Sequence, residues 1–138
     1  MKKILSLALA AMVLLALASC KGGPAVTTSD LAGHWTSTSW TNSSDPPTQK
    51  GTMTMDVQAN GDFSMVQSPV TGGTNSFSGT LAVANEAELL VTLAVINGSP
   101  APAPPLNKQV IEFSLSGNSL TLNAAAAGST VDTIVFSR

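Results

Sequence analysis

Few residues in this chain carry reactive side chains, and their spacing limits what each can do. Cys20 is the only cysteine, so it closes no disulfide within the chain. His34 is the only histidine. As a general base it would have to sit within hydrogen-bond reach of a nucleophile. It immediately precedes Trp35, however, and neighbouring residues of a strand face opposite sides. With Trp35 directed inward, His34 faces water. One histidine and one distant cysteine do not make a zinc site. Met53, Met55 and Met65 carry thioethers that suit Cu(I), although filling an apolar core is the more frequent use of methionine. Glu86 and Glu88 follow Asn85 and read as solvated turn residues, not as an acid/base pair. On this reading the chain is not an enzyme and uses neither metal nor cofactor.

The segment that carries Cys20 explains the cysteine better than any active site does. The chain opens MKKILSLALAAMVLLALASC. Lys2 and Lys3 precede an uncharged run from Ile4 to Ala18. That run is shorter than the roughly 18–20 residues a spanning helix needs, and it ends in small residues. This is the layout of a secretory signal peptide. Leu17-Ala18-Ser19-Cys20 resembles the lipobox of bacterial lipoproteins. The resemblance implies cleavage before Cys20, a diacylglycerol on its sulfur and an acyl chain such as palmitate on its amine. One acyl chain binds a membrane only marginally, at about 10⁴ M⁻¹, whereas two or more anchor stably. Lys21 is not acidic. In enterobacterial lipoproteins an aspartate there favours the inner membrane, so the resemblance implies the outer membrane, facing the periplasm. The chain then divides into a signal peptide (1–19), a lipidated tether (20–29) rich in glycine, and one domain (30–138).

Lys2 and Lys3 leave with the leader, so four of the six basic residues remain against eight acidic ones. No basic patch exists, which excludes nucleic acid as a partner. The membrane partner is reached through the lipid at Cys20. Abundant Ser, Thr, Gly and Asn with few Lys or Glu favour strands and turns.

Eight strands are expected, at about 33–41, 50–58, 62–68, 76–83, 88–96, 108–116, 119–124 and 130–137. Asp30 is placed to cap a short helical turn before the first. Two hairpins fix their own registers. A two-residue Gly117-Asn118 loop sets Leu115 opposite Leu120 and Phe113 opposite Leu122. A three-residue loop with Gly61 left-handed sets Val57 opposite Phe63 and Met55 opposite Met65. A two-residue loop there would send Phe63 and Met65 to the face opposite Met53, Met55 and Val57, since a one-residue slip flips every side chain. The alternation continues inward through Phe77 and Leu81, then Leu89, Val91, Leu93 and Val95. One wet face per strand and short turns predict an all-β, eight-stranded, antiparallel up-and-down barrel. The prolines of 99–105 predict an extended connector between strands five and six.

Asp30-Leu31-Ala32-Gly33-His34-Trp35 resembles the opening of the lipocalins and their calycin relatives, in which a turn of helix leads into a Gly-x-Trp on the first strand. Arg138 ends the eighth strand, and Asn118 to Leu122 followed by such an ending looks like short bacterial lipocalin-like lipoproteins. The resemblance implies that Gly33, Trp35 and Arg138 close one end of the barrel, with the guanidinium packed across the indole. It also implies a small apolar ligand or lipid at the other end. Met53, Met55, Met65, Phe77, Leu93 and Phe113 are the candidate pocket residues, with room left at Gly79 and with the proline segment over the mouth. The alternative is a filled barrel that serves as an envelope interaction or inhibitor protein. The two differ in whether the barrel has a cavity.

Overall fold

A computed structural model describes residues 25–43, 48–125 and 130–138. The expected signal peptide (1–19), Cys20 and the start of the expected tether lie outside the described residues. Eight strands build the structure: β1 (Gly33–Asn42), β2 (Gly51–Val57), β3 (Asp62–Pro69), β4 (Asn75–Asn85), β5 (Glu88–Ile96), β6 (Lys108–Ser116), β7 (Ser119–Ala125) and β8 (Val131–Ser137). Each pairs antiparallel with the next, and β8 returns to β1, from Thr36↔Ser137 to Asn42↔Asp132. The barrel is therefore closed and has no free sheet edge along its wall. Two short segments, Thr48–Gln49 and Ser99–Pro100, extend β1 and β5 at the same end.

The registers follow the hydrophobic pattern. Val57 faces Phe63 and Met55 faces Met65 across a loop in which Gly61 has φ 92°. Leu115 faces Leu120 and Phe113 faces Leu122. Trp35, Met53, Met55, Phe113, Leu120 and Phe136 are buried in one apolar cluster.

Three features depart from the sequence-based expectation. The first is Trp40, which alternation from Trp35 would send outward but which is buried. The β1–β8 register shifts between Ser37 and Ser39, so Thr38 is an extra residue and parity reverses beyond it. Where the β1–β2 ladder lapses, the Ser37 hydroxyl accepts the Met53 N–H at 2.7 Å. A second shift, between Ser78 and Gly79 on β4, leaves Ala94 of β5 unpaired. It turns Val95 outward and sets Ile96, not Val95, beside Phe77.

The third departure is the proline segment. Asn97 (φ 50°) and Gly98 (φ 79°) form a two-residue hairpin turn, and Ser99–Pro100 fold back on Ile96 and Val95. A turn at 104–107 then returns the chain, with the Leu93 N–H donating to the Asn107 carbonyl at 2.8 Å. The segment runs along the side of β5 as a folded-back flap, not as an extended connector.

Candidate functional site

At one end, the chain entering the barrel makes a plug. Thr28–Leu31 is a turn of 3-10 helix, and Leu31 is buried. Thr27, not Asp30, stands at its N-cap. Asp30 lies within the turn and accepts from the Thr27 N–H (2.7 Å) and hydroxyl (2.8 Å). These two bonds, the backbone one first, hold the Asp30 carboxyl below its ordinary range. Val26 also packs against the core, so the packed domain reaches back into residues assigned to the tether.

Trp35 is fully buried beneath this turn and donates its indole N–H to the Leu31 carbonyl at 2.8 Å. The Arg138 guanidinium carbon lies 4.6 Å from the Trp35 ring centroid. Its Nη1 also donates to the carbonyls of Asp30 (3.0 Å) and Ala32 (2.8 Å). Gly33, with φ 142°, brings the chain past the Arg138 side chain; a Cβ there would lie 3.5 Å from its Cδ. The three closure residues are thus assembled around one indole. His34, by contrast, is exposed, with its Nδ1 at 2.7 Å from Asp56 Oδ1.

Between this plug and the opposite end lies a cavity of about 260 Å³. Of the candidate pocket residues, Met55, Met65, Phe77 and Leu93 line it, with Leu31 at its floor. Val57, Phe63, Leu81, Leu89, Val91, Ile111, Leu120 and Leu122 complete its apolar wall. Gln67 and Gln109 are its only polar lining residues. An apolar cavity of about 150 Å³ stays dry and accepts benzene, so this one has room for a somewhat larger apolar molecule. Met53 and Phe113 are buried but do not line it. No lining residue comes from β1 or β8, where Trp35, Trp40, Ile134 and Phe136 are all buried. The barrel is solid along that seam and hollow on the side of β2 to β7.

Two expectations about this space are corrected. Gly79 leaves no room: a Cβ there would lie 2.0 Å from the Thr92 carbonyl oxygen, because β5 crosses directly against β4. Nor does the proline segment bound the cavity; no residue of 97–107 lines it, since the segment lies beside β5 and not over the mouth.

At the open end, Asp132 is a hub that the sequence did not single out. Its carboxylate accepts from Trp40 Nε1 (3.1 Å), Asn42 Nδ2 (2.8 Å) and Lys50 Nζ (2.8 Å), and the Lys50 ammonium lies 5.5 Å from the Trp40 ring centroid. Partial burial alone would raise the Asp132 carboxyl. The three donors, Lys50 foremost, outweigh it and hold the group below its ordinary 3.8. A carboxyl lowered by folding stabilises above its unfolded value, and that contribution is lost as pH falls through the folded one. Asp132→Asn is therefore expected to lower stability at neutral pH by about 1–2 kcal/mol. The difference should shrink as pH drops below 3.8. Urea unfolding of both proteins at neutral and acid pH checks this; a gap that does not depend on pH would contradict it.

The geometry defines a class: a closed eight-stranded up-and-down barrel, plugged at one end by its own N-terminal turn and holding an apolar cavity with a polar rim. Comparison with family models, with curated proteins and with solved structures returned no match for the chain.

Proposed function

We propose that this chain is a bacterial lipoprotein, anchored through lipid on Cys20, whose lipocalin-like barrel carries a small apolar ligand or lipid in the cell envelope, at the outer membrane and facing the periplasm. The observation that carries the reading is the cavity of about 260 Å³, walled by aliphatic, methionine and phenylalanine side chains. A filled barrel acting only as an interaction or inhibitor protein would not leave such a space, since well-packed interiors contain few voids larger than a water molecule. The anchor rests on Leu17-Ala18-Ser19-Cys20 and the apolar run before it.

Titration of the protein with an uncharged fluorescent apolar probe tests the carrier reading. Binding should saturate, and Leu93→Trp should weaken it roughly tenfold or more by filling the space with a larger side chain. A probe that does not bind, or that binds equally well to the variant, would promote the interaction-protein reading. The anchor has its own test. Cys20→Ser should leave the precursor uncut and free of radiolabelled palmitate in growing cells. Normal processing of that variant would remove the lipoprotein assignment.

A further inference from the structure

The cavity wall ends in two side-chain amides. Gln67 on β3 and Gln109 on β6 are separated in the sheet by β4 and β5. Both lie toward the open end of the barrel, two residues beyond Met65 and two before Ile111 on the same inner face. Neither amide is hydrogen-bonded to another described residue. Each offers two N–H donors and one carbonyl acceptor. The polar side chains of the Asp132 hub at this end are, by contrast, engaged with one another.

Charge at the mouth is arranged differently. No ionisable side chain lines the cavity. Lys50, the cation nearest in sequence to the open end of β2, is bonded to Asp132 and stacked on Trp40. Lys108 adjoins Gln109 on the strand and so projects from the outer face. Gln67 is half-buried and Gln109 exposed, so an anionic head entering beside them would give up part of its hydration without gaining a cation, which is unfavourable. A neutral head that both donates and accepts would instead satisfy amides that are otherwise left to water.

Granting the carrier reading above, we infer that the cavity selects a short amphiphile with one uncharged, hydrogen-bonding head, such as an alcohol or a primary amide. Gln67 and Gln109 hold the head at the rim and the chain runs toward Leu31. At roughly 30 Å³ for each water-sized group, the space takes a tail of about eight or nine carbons.

Equilibrium dialysis of tritiated nonanol against the full chain in lipid nanodiscs, with empty nanodiscs subtracted, tests the inference. Nonanamide should displace the label. Nonanoate at about pH 8, where it is ionised, should do so at least ~10-fold less well. The double variant Gln67→Leu, Gln109→Leu should still bind an uncharged apolar probe but should lose most of the preference for nonanamide over nonanoate. Nonanoate competing as well as nonanamide, or a preference unchanged in the double variant, would overturn the neutral-head inference. A further sign against it would be nonanoate binding that Lys108→Ala abolishes. Those results leave the carrier reading standing. Failure of the uncharged apolar probe itself to bind the wild-type chain would instead remove the carrier reading, and this inference with it.

Discussion

Gly79→Ala is expected to destabilise the barrel by about 3 kcal/mol or more, at the upper end of what overpacking costs. The new methyl carbon would lie 2.0 Å from the Thr92 carbonyl oxygen and 3.0 Å from the Leu93 Cα. Both are backbone atoms, so no side chain can rotate aside to relieve the clash. The β4–β5 ladder itself would have to open beside the shift that leaves Ala94 unpaired. Glycine at such a position lets one strand bend closely over another in a small barrel. Gly73→Ala is the control, because a Cβ there meets nothing within 4 Å. It should change stability by less than about 0.5 kcal/mol. Denaturant unfolding of both variants decides the matter, and equal midpoints would mean that the close approach is not a constraint.

Trp35→Ala should have a comparable effect by the opposite route. Removing a buried aromatic costs about 3–5 kcal/mol through lost burial and the cavity left behind. Here the loss extends further: the Leu31 carbonyl loses its indole donor and the Arg138 guanidinium loses the ring it lies against. For a domain of this size the melting midpoint should fall by roughly 10–20 °C. Circular dichroism is the suitable monitor, since Trp40 still contributes to fluorescence. A shift smaller than about 3 °C would show that the plug is not held by Trp35.

How far the sequence reveals this molecule depends on whether neighbours or the whole barrel set each position. The registers at Gly61 and Gly117 were legible because a slip would expose phenylalanine, methionine and leucine together. Strand number and the inward face followed from alternation. Trp40 escaped that logic: an added residue at Thr38 reverses parity, and Ser-Thr-Ser around it carries no signal that distinguishes a bulge from regular strand. Val95 was misplaced in the same way by the unpaired Ala94. Asn97-Gly98 did carry a strong hairpin signal, but the prolines beside it drew the reading toward an extended chain. The cavity was only half legible. Its apolar wall could be enumerated from the inner faces, but a void is a difference between enclosed volume and side-chain volume, and strand curvature sets the first. Gly79 makes the point, since its missing side chain looked like free space and is occupied by backbone.

The solid seam between β1 and β8 has a consequence for how the chain acquires its fold. Thr36 pairs with Ser137, so the contact that shuts the ring joins positions at opposite ends of the domain, whereas the other ladders join strands adjacent in sequence. Bringing such distant segments together costs about 2 kcal/mol more in chain entropy than closing a ten-residue loop. Both buried tryptophans, Trp35 and Trp40, stand on these two strands together with Phe136. Their burial rewards the step that chain entropy opposes most. Contacts of such long sequence separation slow folding. Until β8 is available to close the ring, the apolar inner face of the preceding strands stays accessible to water.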